Sequence, residues 1–178
     1  SVTDIGSNRF LFLRIGNMKH FGNMFRVGDC AANYLKNRSS ILDLRMMMGD
    51  QAVHSDMLTW NVADPVESAA RQVLSTLFLV PQISVRFGQI TEEHREMLAF
   101  YLKFRNENVS TLLEGPFEAE NPELLYPMVT ARKDGHRISV SHGKNILKTD
   151  AFKKLHYINA SGETEHFLRL NEDLGEVD

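Results

Sequence analysis

The chain of 178 residues contains a single cysteine, Cys30. One thiol excludes an intrachain disulfide and a zinc site built from cysteines. An exported protein can also lack disulfides, so this scarcity leaves the cellular localisation open. No apolar run reaches the roughly 18 residues that a membrane-spanning helix needs, and the first residues lack a basic segment followed by an apolar one. We therefore expect a soluble chain without a membrane partner.

Blocks of like charge are also missing. The 20 basic and 23 acidic side chains nearly cancel to a net charge of −3 and are spread along the chain. A nucleic-acid partner is therefore not expected, because it would need a clustered basic surface. The hydrophobic content of 43% is that of an ordinary globular protein and is enough for a core.

Short apolar segments alternate with helical patterns in the first part of the chain. The predicted strands are 23–27, 51–55 and 83–87. The predicted helices are 31–48, 64–79 and 91–108. The second helix has a strong start signal, because Asp64 can cap free amides, Pro65 fits the first helical position and Glu67 can complete a capping box.

Successive strands begin at about Met24, Ala52 and Ile83, a spacing of roughly 30 residues that is typical of one βα unit with a right-handed crossover. We therefore predict an α/β fold with parallel strands. Periodicity alone is compatible with an open doubly wound sheet and with part of an eight-fold barrel.

The pattern changes after Gly115-Pro116, where helical periodicity gives way to strands and glycine-containing turns such as Asp134-Gly135. The predicted strands here are 126–132, 137–141, 155–159 and 165–170. We therefore predict two domains, residues 1–115 and residues 116–178, and expect the second to be antiparallel.

Polar residues occupy the predicted strand ends, where parallel α/β proteins collect their reacting groups: Asp29, then His54 and Asp56, then Arg86. A carboxylate at the mouth of an apolar barrel loses solvation, which raises its pKa and lets it donate a proton near neutral pH. Asp29 has the position for such a role.

Each of these residues also has a simpler interpretation. Asp29 can be a helix cap, and Arg26 an ordinary surface arginine. His54 and Asp56 can share a strand face, but a metal site would need a third donor that the sequence does not identify, so no metal is predicted. Cys30 lacks a placed histidine to activate it and is expected to pack, as are the three methionines at 46–48.

A series of motifs resembles bacterial α-galactosidases of the melibiase type, in glycoside hydrolase clan D. The series begins with GNMFRVGDC at 22–30 and AVHSDMLTW at 52–60. The likeness continues at 37–38, 42–45, 64–70, 80–86 and 92–94. It covers about residues 15 to 130, and the ordered series is more specific than any one motif.

The resemblance implies the last three or so βα units of a (β/α)8 barrel, followed by part of an antiparallel β-sandwich. The implied activity is hydrolysis of terminal α-galactosides with retention of configuration and without a cofactor. It makes Asp29 the catalytic acid/base at the end of the sixth barrel strand. The implied substrate contacts are Arg26, Cys30, His54, Asp56 and Arg86.

Other functions are compatible with the same motifs. One is another α-glycoside specificity, such as that of an α-N-acetylgalactosaminidase. Another is a carbohydrate-binding or structural remnant that has lost catalysis. An α-galactoside or related oligosaccharide is the expected ligand in the enzyme, and exposed sheet edges would favour homo-oligomers.

The resemblance assigns the nucleophilic aspartate to the fourth barrel strand, which we expect to lie outside this chain. Retaining hydrolysis needs two carboxyl groups about 5 to 5.5 Å apart, so Asp29 alone cannot complete the reaction. We therefore predict that the 178-residue chain does not hydrolyse an aryl α-galactoside. Turnover by the purified chain that Asp29→Asn abolishes would contradict this.

Overall fold

A computed structural model describes residues 2–4, 22–28, 33–49, 51–149 and 151–170. The chain divides into two compact units, Ser1–Val109 and Ser110–Asp178. The boundary predicted between residues 115 and 116 lies shortly inside the second of these units. Each unit is described by itself below.

The first unit contains a four-stranded sheet in which all neighbouring strands are parallel. Its strands, in chain order and in spatial order, are β1 (Val2–Asp4), β2 (Met24–Arg26), β3 (Ala52–Leu58) and β4 (Val80–Ile83). Its helices are α1 (Tyr34–Met48), α2 (Val66–Ser75) and α3 (Glu92–Glu107). The predicted alternation of strand and helix, with parallel pairing, is confirmed for these elements.

The third predicted strand was placed wrongly, because β4 covers Val80–Ile83 and not residues 83–87. Pro81 lies inside this strand. Since β4 is at the edge of the described sheet, the missing N–H of Pro81 costs no ladder hydrogen bond on its outer side. The preceding helix ends earlier than predicted, at Ser75.

Helix starts follow the sequence signals in one case and depart from them in another. The helix predicted from residue 91 is α3, and Thr91 is its N-cap, with the side-chain oxygen accepting from the backbone N–H of His94 at 3.2 Å. Asp64 does not cap α2, because its Oδ2 accepts instead from the backbone N–H of Asn61 at 2.8 Å. Pro65 itself occupies the N-cap position.

The core of the first unit lies between the sheet and its helices. Phe25 and Val53 pack with α1 through a buried cluster that includes Ile41 and Met48. A second cluster joins α2 and α3. None of the helices in the described ranges has the length and apolar content that crossing a bilayer requires.

Arg105, in the last turn of α3, is bound to the residue that precedes β4. Its Nε and Nη2 donate to the carbonyl oxygen of Leu79 at 3.1 Å and 2.8 Å. Burial lowers the pKa of this guanidinium. These two hydrogen bonds therefore connect the last turn of α3 to the start of β4.

The second unit contains a four-stranded sheet in the order β5, β6, β7, β9 and a separate pair of strands, β8 and β10. Its strands are β5 (Phe117–Glu120), β6 (Met128–Lys133), β7 (His136–Ser141), β8 (Ile146–Thr149), β9 (Lys154–Asn159) and β10 (Phe167–Leu170). A π-helical turn, Ser110–Glu114, precedes β5, and a 3-10 turn, Pro122–Leu124, precedes β6.

The expectation of a purely antiparallel second domain is wrong for two strand pairs. β5, β6 and β7 pair antiparallel, with the predicted Asp134-Gly135 turn at positive φ between the last two. β7 and β9 pair in parallel, as do β8 and β10. The segment between β7 and β9 contains β8, and this length allows the crossover that a parallel pair requires.

The run of three methionines supplies a matched test of the core, since Met48 is 0% exposed and Met46 is 44% exposed on the same helix. We expect Met48→Ala to lower the free energy of unfolding by about 2 to 5 kcal/mol, because it leaves a cavity in the cluster with Phe25. Met46→Ala should change it by less than about 0.5 kcal/mol. Urea denaturation of both variants measures this, and equal losses would contradict the packing described.

Candidate functional site

Asp29 and Cys30, the predicted acid/base and its neighbour, lie outside the described residues. The structure describes the chain up to Gly28, just beyond the carboxyl end of β2, and again from Asn33. The N-cap of α1 is Asn33, whose Oδ1 accepts from the backbone N–H of Leu35 at 2.9 Å. The cap of this helix is therefore not Asp29.

Arg26 and His54 lie side by side on the sheet. They are register partners in the parallel pair of β2 and β3, so their side chains share one face. Their preceding neighbours, Phe25 and Val53, point to the α1 core, which places Arg26 and His54 on the opposite face. The sheet thus has an apolar side towards the helix and a polar side away from it.

His54 has an environment that favours its neutral form. Burial lowers the pKa of its imidazole, and the nearby positive charges of Arg26 and Arg105 lower it further. A neutral imidazole offers one hydrogen-bond donor and one acceptor, which suits a ligand hydroxyl group.

Asp56 binds the backbone at the end of the neighbouring strand. Its Oδ1 accepts from the backbone N–H of Gly28 at 2.8 Å, and the residue is 7% exposed. A Cβ placed on Gly28 would lie 3.5 Å from the same oxygen. The hydrogen bond from Asp56 therefore fixes the backbone of Gly28, the residue immediately before Asp29.

The position of His54 and Asp56 along the strand differs from the prediction. Both were expected at the carboxyl end, but β3 continues to Leu58. The register of β3 on β4 shifts between His54 and Met57, and there Ser55 Oγ accepts from the backbone N–H of Gln82 at 2.8 Å. This side-chain bond supplies an acceptor for Gln82 where the ladder is interrupted, and both Ser55 and Asp56 are buried there.

Arg86 does not end a strand, because β4 stops at Ile83 and Arg86 lies in the exposed loop that follows. It lines a cavity of about 220 Å³ at the carboxyl ends of β3 and β4. The walls of this Trp60 cavity are residues 60–62 of the loop after β3, and residues 84–86, 89 and 90 of the loop after β4.

Hydrogen bonds fix the two loops that form the Trp60 cavity. The loop after β3 closes through Asp64, whose N–H donates to the carbonyl oxygen of Asn61 at 3.1 Å. The loop after β4 closes through Gln89 N–H to the carbonyl oxygen of Arg86 at 2.8 Å. Arg95 on α3 also donates to the carbonyl oxygen of Ile90 at 2.9 Å. These bonds hold the backbone on both sides of the cavity.

Trp60 is partly buried against the cluster of Val73, Ile90 and Leu98 and also lines the cavity. Its ring lies 6.0 Å from that of His94, centroid to centroid. The buried Nε1 of Trp60 and the buried Nε2 of His94 have no hydrogen-bond partner among the described residues. Sequence reasoning singled out neither residue as functional; the available signal was the chain's only tryptophan, two residues beyond a strand.

Arg26 and His54 thus share one face of the sheet, Asp56 binds the end of the neighbouring strand, and Arg86 belongs to the Trp60 cavity. Within the described ranges, no three His, Cys, Asp or Glu side chains are arranged to hold a metal ion. No family model, no curated protein and no solved structure matches this chain.

The hydrogen bond between Asp56 and Gly28 can be tested by a pair of substitutions. We expect Asp56→Ala to lower the free energy of unfolding by about 1 to 3 kcal/mol, because it leaves a partly buried N–H without its acceptor. Asp56→Asn keeps an acceptor oxygen and should lose less. Unfolding in urea followed by Trp60 fluorescence measures the unit concerned, and equal losses for both variants would contradict the assignment.

Proposed function

We propose that this chain contributes the acid/base half of a retaining α-galactoside hydrolase, with Asp29 as the proton donor. The observation that carries the proposal is the hydrogen bond from Gly28 to the buried carboxylate of Asp56. It fixes the backbone immediately before Asp29, at the carboxyl end of a parallel strand, where α/β enzymes place their reacting groups.

The polar face beside this strand end supports the proposal. Arg26 and the neutral imidazole of His54 supply hydrogen-bond donors and an acceptor within one strand spacing of each other. A sugar ring presents hydroxyl groups that need both kinds of partner. The positive charge of Arg26 also favours the ionised form of a nearby acid once its proton has left.

The order of the strands supports a barrel as the scaffold. From β1 to β4 the spatial order follows the chain order without reversal, as it does around a (β/α)8 barrel. A doubly wound sheet reverses its order at the switch point where its ligand binds, and the described strands contain no such point.

In the proposed reaction, Asp29 first donates its proton to the glycosidic oxygen while a second carboxylate attacks the sugar. The ionised Asp29 then accepts a proton from the water that releases the galactose. The motif resemblance assigns the second carboxylate to another barrel strand. Hydrolysis accordingly requires Asp29 together with that strand.

The test compares leaving groups in a protein that contains both carboxylates. Asp29→Ala should slow hydrolysis of melibiose by about 100- to 10,000-fold, because a sugar alkoxide needs protonation to leave. Galactosylation by 2,4-dinitrophenyl α-galactoside should be nearly unaffected, since dinitrophenolate leaves without a proton. Azide should restore turnover of that substrate, because azide attacks the galactosyl intermediate without a base.

Glu93→Ala is the control, because it removes an exposed carboxylate from the same unit. It should leave both substrates unchanged. An Asp29→Ala enzyme that is slowed equally on both substrates, with no response to azide, would show that Asp29 is not the acid/base.

A further inference from the structure

The hairpin of β6 and β7 borders a cavity of about 380 Å³ in the second unit, here called the Arg132 cavity. Its walls come from three segments, residues 116, 132–137 and 151–152. The N–H of Arg132 donates to the carbonyl oxygen of Pro116 at 3.0 Å, and the N–H of Lys153 donates to that of Gly135 at 2.8 Å. These hydrogen bonds connect the segments that surround the cavity.

Two arginines lie opposite each other at this cavity. Arg132 and Arg137 are register partners in the antiparallel pair of β6 and β7, so their side chains share one face of the sheet. Both line the cavity, and Arg137 is only 4% exposed. Like charges directly opposite each other on neighbouring strands repel. A ligand that brings negative charge to this pair is therefore favoured.

Arg132 retains hydrogen-bond donors for such a ligand. Its Nη1 forms an ion pair with Oε2 of Glu118 at 2.7 Å, and its Nε has no hydrogen-bond partner among the described residues. A guanidinium carries five N–H donors in a fixed fork that matches the two oxygens of a carboxylate. The ion pair with Glu118 is partly exposed on both sides, and pairs of this kind are weak. It therefore leaves Arg132 able to bind a second oxyanion.

Arg137 is held in place from the same face of the sheet. Its Nε donates to Oγ of Ser139 at 3.1 Å, and this hydroxyl group also lies 2.9 Å from Oγ1 of Thr130. All three side chains belong to buried residues. Because the side chain of Arg137 is already ordered, less conformational entropy is lost when a ligand binds.

The charges around the cavity suit a ligand with one negative charge. Three cations and one carboxylate line it: Arg132, Lys133, Arg137 and Asp134. Two glutamates pair with the first two of these cations. The side chain of Lys153 lies against Gly135 and adds a further cation, which leaves a small excess of positive charge. A monoanion matches this excess better than a dianion does.

The remaining walls are apolar. Pro116, Ala151 and Phe152 contribute them, opposite the charged residues of the hairpin. The volume of about 380 Å³ exceeds what a carboxylate group alone would fill and lies within the usual range of small-molecule sites. The ligand class that fits both walls is a carboxylate attached to a compact apolar body.

We propose that the Arg132 cavity binds a small monocarboxylate. The carboxylate pairs with the guanidinium groups of Arg132 and Arg137, and the apolar body lies against Phe152. The site belongs to the second unit alone, so it is independent of the hydrolysis proposed above.

The test measures binding of benzoate to the 178-residue chain by saturation-transfer NMR at pH 7.5 and constant ionic strength. His136 is neutral under these conditions, because burial lowers the pKa of its imidazole. We expect saturable binding of benzoate. Benzyl alcohol, which has the same ring without the charge, should bind at least tenfold more weakly, and inorganic phosphate should not displace benzoate at equal concentration.

Substitutions of Arg132 assign the binding to this cavity. Arg132→Ala should weaken benzoate binding by tenfold or more, the effect of losing hydrogen bonds to a charged group. Arg132→Lys keeps the charge but loses the fork, so we expect a smaller loss; this variant also provides the test if the alanine variant does not fold. Lys148→Ala removes an exposed cation from β8 of the same unit and should bind benzoate like the unsubstituted chain.

Several results would overturn the assignment. Equal binding of benzyl alcohol would show that the carboxylate is not recognised, and displacement of benzoate by equimolar phosphate would show a general anion site. Benzoate binding that is absent, or that is unchanged in the folded Arg132 variants, would also reject it. An equal loss in Lys148→Ala would show attraction to the overall charge of the surface and not to this cavity.

Discussion

The register of β2 on β3 is the constraint on which the rest of the first unit depends. Pairing Phe25 with Val53 sends both side chains into the α1 core, and the same pairing puts Arg26 beside His54 on the other face. A slip of one residue would exchange these faces, burying a guanidinium against Met48 and exposing apolar side chains. The hydrophobic core therefore also orients the polar face.

Two long-range hydrogen bonds extend this register to the strand ends. Asp56 reaches Gly28 across one strand boundary, and Ser55 reaches the backbone of Gln82 across the other. Both bonds come from the irregular part of β3, where the ladder is interrupted. Bulges of this kind commonly lie beside functional sites because they re-aim side chains. Here the irregularity directs Asp56 towards the end of β2 and Ser55 towards β4.

Local signals in the sequence predicted the elements that local physics determines. Thr91 before two glutamates marked the start of α3, and Asp134-Gly135 marked a hairpin. Asp64 misled, since its carboxylate turns back to Asn61. The sequence predicted Arg26, His54 and Asp56 as site residues, but the partner of Asp56 lies 28 residues away, and the Trp60 cavity joins two separate loops. Such pairings depend on tertiary packing and leave no local pattern.

The hydrogen bonds from Arg105 to Leu79 set an order in which the first unit is completed. The two residues are 26 positions apart, and β4 is synthesised before the arginine that fastens its entry. On the ribosome, the carbonyl group of Leu79 stays hydrated until the last turn of α3 has emerged. The contacts that hold the start of β4 are therefore completed late in biosynthesis. They form only after synthesis has passed Arg105, well beyond the strand itself.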